Sequence, residues 1–235
     1  ATRITQFLLT APKEYVCLMH LHQETPEETI HEVVKKFMGK IQQRPPIKSA
    51  VKRVERTREI YEFEILEIKG KDVLFRVKCQ AGTYIRVLCH KIGEELGVGA
   101  HMAELRRTQA GPFTERDNLI TLNDLQDAYH FYAEENNPKV LLRCIQPIEN
   151  ALKHMPKCWI FDTTIESVSH GRNLAVPGIS KLENFRKGEI VAVITLKEEL
   201  VAVGEAVMSA VEINTAEKGI AIDTKKVFIE PILKS

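Results

Sequence analysis

No apolar run in these 235 residues approaches the roughly 18–20 residues that cross a bilayer as a helix. No signal peptide is visible at the start, no segment is of low complexity and no stretch repeats. No two cysteines form a C-x-x-C pair. The five present (Cys17, Cys79, Cys89, Cys144 and Cys158) are scattered and odd in number, which excludes a zinc ribbon and a disulfide framework and fits reduced thiols in a cytoplasmic protein. An excess of either charge is also missing: 33 basic residues stand against 32 acidic ones, so net charge argues neither for nor against a nucleic-acid partner. What remains is 44% hydrophobic and 28% charged residues, the composition of an ordinary globular protein. The length suits one to two domains of roughly 150 residues each. Disordered and collagen-like chains are excluded.

Charge is uneven locally. From Lys40 to Arg58 there are seven basic residues and a single acid, Glu55. Such a run is either a solvated loop or a surface that contacts phosphates. His20 and His22 alternate on one face of an expected strand; without a third ligand in sequence reach they are read as ordinary strand histidines, with no metal.

Hydrophobic spacing predicts a helix over 3–9 with no cap read before it, as if the chain opened in the middle of a longer one. Residues 13–23 read as a strand apolar on both faces and therefore buried. Thr25-Pro26-Glu27-Glu28 reads as a capping box with Pro at the first helical position, opening a helix that runs to Met38 and stops at Gly39. Arg44-Pro45-Pro46 marks an exposed loop. Strands are expected over 59–69 and 72–80, turning at Gly70-Lys71, and a helix over 83–96 ended by Gly97. Gly99 opens a turn before Met102–Arg107. A second capping box at Thr121–Asp124 starts a helix that ends near Glu135. From Trp159 onward short β runs (190–196, 200–207, 219–222 and 227–229) suggest a small barrel. A domain boundary is placed near residue 154.

Four blocks then resemble the TruB-type pseudouridine synthases, in that family's order. They are Lys13-Glu14-Tyr15, the proline-rich Gln43-Arg44-Pro45-Pro46-Ile47-Lys48-Ser49-Ala50-Val51-Lys52, Gly82-Thr83-Tyr84-Ile85-Arg86, and Gly97-Val98-Gly99-Ala100-His101 through Arg107. Downstream, His170-Gly171-Arg172-Asn173-Leu174-Ala175-Val176-Pro177-Gly178-Ile179, then Gly188-Glu189 and Lys218-Gly219, is similar to a PUA domain, an RNA-binding β-barrel. Details around Ala175–Leu182 are similar to the dyskerin-like archaeal subunit of H/ACA ribonucleoproteins.

The resemblance implies an α/β (α+β) protein: a mixed-sheet catalytic domain over 1–154 with its N-terminal part missing, then a PUA barrel over 155–235. It implies isomerisation of uridine to pseudouridine in RNA, with no cofactor. Substrate RNA, a guide RNA and small zinc-ribbon and β-barrel protein subunits are the implied partners, with no membrane. Tyr15 and Tyr84 would offer an aromatic face to the flipped base, Arg86 would pair the nucleophilic carboxylate, Leu105 would pack under the base and Lys52 would line the site. Lys48, Arg53, Arg106 and Arg107 would contact the RNA backbone, and His170, Gly171, Pro177 and Gly178 would bind the guide's single-stranded end. The family's nucleophilic aspartate lies in a G-x-L-D block, and none of the six aspartates here (Asp72, Asp117, Asp124, Asp127, Asp162 and Asp223) stands in one. A stand-alone tRNA enzyme and a non-catalytic RNA-binding scaffold remain open as alternatives.

Overall fold

The computed structural model describes residues 2–45, 52 and 54–230. Lys48 and Arg53, expected to contact RNA, lie outside the described residues. The chain divides into two compact units, Gln6–Leu119 on one side and Ile120–Ser235 with Ala1–Thr5 on the other.

The first unit follows a short helix α1 (Thr5–Leu9) with β1 (Lys13–Leu21), α2 (Glu27–Lys35), β2 (Gly39–Gln43), β3 (Arg56–Lys69), β4 (Asp72–Cys79), α3 (Ile85–Glu95), β5 (Ala100–Ala110) and β6 (Phe113–Thr114). The six strands lie in the order β2-β3-β4-β1-β5-β6. The mixed sheet expected of this domain has antiparallel pairs throughout its described strands. Cys17, Met19 and Leu21 of β1 and Val73, Phe75, Val77 and Cys79 of β4 alternate onto one face, where they meet Ile30 and Val33 of α2 and Leu88, Cys89 and Ile92 of α3.

Three expectations need correction here. β1 is buried on one face only, since Val16 and Leu18 on the other stay partly exposed. No capping box forms at Thr25: Pro26 itself takes the N-cap position of α2, and the Thr25 hydroxyl donates to the Gln23 carbonyl at 3.4 Å. The turn expected to open at Gly99 before Met102–Arg107 is not there: strand β5 begins at Ala100 and runs to Ala110 beside β1.

The second unit opens with α4 (Leu122–Glu135) and α5 (Lys139–Cys144). The capping box expected at Thr121 is present, with the Asp124 N–H donating to the Thr121 hydroxyl at 3.1 Å. Then come β7 (Lys157–Ile160), α6 (Asp162–Ser169), β8 (Leu174–Ala175), β9 (Ile179–Leu182), β10 (Ile190–Thr195), β11 (Leu200–Ala206), α7 (Ala210–Thr215) and β12 (Ile220–Val227). Their sheet, ordered β8-β12-β11-β10-β7-β9, curls into a half-barrel with one parallel pair, β7 with β10. Cys158, Val168, Val191, Val193, Val201 and Ile222 lie in its core. The run expected over 219–222 opens β12, which ends at Val227, so Phe228 and Ile229 of the run expected over 227–229 lie beyond it.

Candidate functional site

The face of β1 that meets α3 carries Lys13, Tyr15, Cys17, Met19 and Leu21, because side chains alternate along a strand. Tyr15 is half-buried and lies opposite Val77 of β4 and Arg107 of β5. The β1–β5 register slips between Glu14 and Tyr15, leaving Thr108 as the extra residue of a bulge, and the Thr108 hydroxyl donates to Glu14 Oε1 at 2.7 Å. A bulge re-aims the side chains beside it. Here it brings the Arg107 guanidinium beside the Tyr15 hydroxyl, near enough to act on its ionisation. Burial pushes the Tyr15 phenol above its ordinary value and the neighbouring Cys79 adds to this, while the Arg107 guanidinium opposes it. Tyr15 is therefore a neutral phenol near pH 7.

Two residues back, Lys13 Nζ donates to the carbonyls of Leu8 at 2.8 Å and Ala11 at 2.7 Å, which fastens the end of α1 to the start of β1. Burial, and next the Arg107 charge, hold its amine below the usual lysine range, with Cys79 acting the other way. Leu105 stands opposite Cys17, yet it is 41% exposed, so an apolar surface lies open on this face. Arg106 falls on the opposite face across from Val16, and its Nε pairs with Glu115 at 2.8 Å. The pleat thus parts two arginines that are adjacent in sequence.

Helix α3 delivers the other candidates. Tyr84 is its N-cap residue in extended conformation and is half-buried; Arg86 is exposed on the first turn. Among the described residues no carboxylate pairs with Arg86. The buried sulfurs of Cys17 and Cys89, 3.7 Å apart, join β1 to α3, and the hydrogen bond with Cys17, followed by burial, pushes the Cys89 thiol up. The structure therefore gathers Tyr15, Leu105 and Arg107 by strand register and sets Tyr84 and Arg86 at the start of a helix packed on the same sheet face. Lys52 is exposed, outside any described strand or helix.

Two neighbours of the α3 entry went unread in the sequence. The Gln43 side chain hydrogen-bonds the backbone of Tyr84. The guanidinium of Arg58 lies against Gly82, where an added Cβ would meet Nη2 at 3.2 Å, and its buried Nε finds no partner among the described residues. His101 was also missed. It hydrogen-bonds His22 at 3.1 Å while His20 hydrogen-bonds Asp72 at 2.7 Å. Among the described residues no three such side chains are arranged to hold a metal ion.

In the second unit His170 caps the C-terminal end of α6, with Nδ1 2.7 Å from the Glu166 carbonyl oxygen, and Gly171 follows at φ +81°. His170 lines an open polar cavity of about 400 Å³ with Thr163, Glu166, Ser167 and Arg172. Pro177 is exposed in a short 3₁₀ turn. Gly178 lacks a Cβ where one would meet Thr164 at 2.7 Å, so its close approach is to α6.

Residues 1–85 match the family described as TruB family pseudouridylate synthase, N-terminal domain. Residues 86–153 match the tRNA pseudouridylate synthase B C-terminal domain, and 156–228 the PUA domain. A protein of Pyrococcus horikoshii named probable tRNA pseudouridine synthase B is 57% identical over 230 residues, which is 97% of this chain and 69% of that protein. One of the same name from Methanothermobacter thermautotrophicus is 56% identical over 232 residues, 98% of this chain and 71% of that protein. Among solved structures, a Cbf5-Nop10-Gar1 complex superposes with a TM-score of 0.93 at 55% identity, covering 98% of this chain and 70% of that one. An H/ACA ribonucleoprotein bound to a substrate RNA containing 2′-deoxyuridine does so with a TM-score of 0.89 at 52% identity, covering 99% and 70%.

Proposed function

This chain belongs to the TruB family of pseudouridine synthases, and on that premise we propose that it isomerises uridine to pseudouridine in RNA as the catalytic subunit of an RNA-guided H/ACA particle. Its partners are then a guide RNA, a substrate RNA and small protein subunits such as the Nop10 and Gar1 of the matched complex. We read its half-barrel as the PUA domain, closed into a barrel, and place the domain boundary at residue 154. The five free cysteines support work in the cytoplasm, where thiols stay reduced.

The reaction breaks the bond from C1′ to N1, turns the base and joins C1′ to C5; N1 gains a hydrogen as C5 loses one, so there is no net redox change. A base in folded RNA must first leave its stack at a cost of a few kcal/mol. Stacking on an aromatic ring returns roughly 1–3 kcal/mol. Tyr15 and Tyr84 supply rings, Leu105 an apolar floor, and the exposed Arg86 a planar fork for a carboxylate nucleophile. A guanidinium beside that carboxylate keeps it ionised at neutral pH. We assign the nucleophile to none of the six aspartates here, because none lies in the family's G-x-L-D block. Lys52 lines the site, and Lys48, Arg53, Arg106 and Arg107 contact backbone phosphates. His170, which lines the cavity of the second unit, and Gly171 after it meet the guide RNA with Pro177 and Gly178 close by in sequence.

The observation that carries this reading is the gathering of Tyr15, Leu105, Arg107 and the α3 entry on one sheet face. It is tested in a particle assembled from the full-length protein, guide RNA and partner subunits. Tyr84→Leu and Arg86→Met should each slow single-turnover conversion by about tenfold or more. If both convert uridine at the parent rate, the site is misassigned. The relatives named tRNA pseudouridine synthase B favour a second reading, direct action on tRNA. Conversion of a tRNA stem-loop by the full-length protein alone would establish it.

A further inference from the structure

Gln43 ends β2 and is only 2% exposed. Burying a carboxamide is unfavourable unless its groups find partners. Both partners of Gln43 belong to one residue, 41 positions away: the Tyr84 N–H donates to Gln43 Oε1 at 2.9 Å, and Gln43 Nε2 donates to the Tyr84 carbonyl at 3.2 Å. This is the pair of bonds that a neighbouring strand would make. It falls where the chain passes from extended conformation into α3, for Tyr84 has φ −97° and ψ 103° and its carbonyl also accepts the Leu88 N–H at 3.0 Å. The Tyr84 side chain makes no cap hydrogen bond to this helix. The backbone of Tyr84 is therefore held on both sides by one buried group, and the direction of its Cα–Cβ bond is held with it. Arg86, two residues on, starts from the same anchored point.

From this geometry we infer that Gln43 is a positioning residue for pseudouridine formation, fixing the Tyr84 ring and the first turn of α3 without touching the base. The inference rests on the reading of Tyr84 given above. Both halves of the amide are needed. A carboxylate in its place keeps an acceptor for the Tyr84 N–H but loses the donor and faces the Tyr84 carbonyl with negative charge. A protonated carboxylic acid restores one acceptor and one donor. Burial favours that neutral form and raises the pH at which it persists.

The test uses the assembled particle with Gln43→Met, Gln43→Glu and, alongside, Tyr84→Leu. Gln43→Met should bind substrate RNA within about twofold of the parent yet convert it about tenfold or more slowly in single turnover, since small misplacements of reacting groups cost rate more than affinity. Gln43→Glu should be slow at high pH, and its rate relative to the parent should climb as pH falls and the acid protonates. A purely structural glutamine would not produce that rescue. A parent-like rate for Gln43→Met, or a pH-independent ratio for Gln43→Glu, overturns the inference; if Gln43→Met does not assemble, the Gln43→Glu ratio decides. A parent-like rate for Tyr84→Leu overturns the reading of the site itself, whereas a slow Tyr84→Leu beside an unaffected Gln43→Met overturns only the role of Gln43.

Discussion

Tyr15 faces Arg107 rather than Thr108 because Thr108 is the extra residue of a bulge in β5 and the register shifts beside it. Since Arg107 lowers the Tyr15 pKa against the larger effect of burial, Arg107→Met should move that pKa further up. Titration of ring-labelled tyrosine by NMR reads the shift, and an unmoved midpoint would mean that Arg107 does not act on the phenol in solution. Buried thiols give a second prediction. Burial pushes Cys79 from 9.0 up to about 11, against a hydrogen bond with Thr83, and Cys158 up to about 12. A raised folded-state pKa means that the unfolded chain releases its proton first. The stability these thiols contribute is whole below pH 9 and is lost as pH rises to about 11 for Cys79 and about 12 for Cys158. Urea midpoints measured across pH 8–12 should therefore fall, and Cys79→Ala should flatten the decline between pH 9 and 11; an equal slope in both proteins would remove Cys79 as its source. Tyr15, Tyr84 and Arg86 were legible as residues because short motifs carry them. Their neighbours were not. Which residue of β5 meets Tyr15 depends on a bulge, and Gln43 reaches Tyr84 across 41 residues by a contact that only the folded sheet creates.

Helix α3 must lie very close to β5 for its first turn to reach the site, and Gly93 makes this possible. A Cβ added there would meet the Ala100 nitrogen at 2.1 Å and the Gly99 carbonyl carbon at 2.5 Å, both backbone atoms unable to step aside. Gly93→Ala gains up to about 1 kcal/mol of helix propensity. Overpacking of this kind costs about 1–3 kcal/mol and occasionally more, so the net change should be destabilising. Urea unfolding checks the sign, and a more stable Gly93→Ala protein would show that α3 stands further from the sheet. Conversion should slow as well, because the helix that shifts carries Tyr84 and Arg86. Element starts were legible where side-chain chemistry alone decides them. Thr121 and Asp124 form the expected box, whereas at Thr25 the following Pro26 takes the cap position and the threonine turns to Gln23. Burial of β1 was overestimated because an apolar residue in a strand shows no preference for the covered face: Val16 and Leu18 read the same in sequence as Cys17 and Met19.

For the whole molecule, a net charge of +1 leaves little long-range attraction for a polyanion, so RNA affinity has to come from local clusters. The densest is the run from Lys40 to Arg58, which leads from β2 and Gln43 into β3. The second unit has its own core and offers a separate polar cavity at His170 and Arg172. Two surfaces on one chain can bind one RNA far more tightly than either alone. Affinity by itself therefore cannot say which surface has been weakened, but its salt dependence can, because each neutralised phosphate releases counterions in proportion. Replacing Lys48, Lys52 and Arg53 together by alanine should weaken RNA binding and reduce the slope of log K against log salt by about one unit for each phosphate no longer neutralised. His170→Ala, which removes no lysine or arginine, should weaken binding of a guide RNA with its single-stranded end while leaving that slope nearly unchanged. Filter binding across salt concentrations separates the two. An undiminished slope in the triple variant would leave the basic run facing solvent, and the residues that neutralise phosphate would then have to be sought among the arginines of β5 and the second unit.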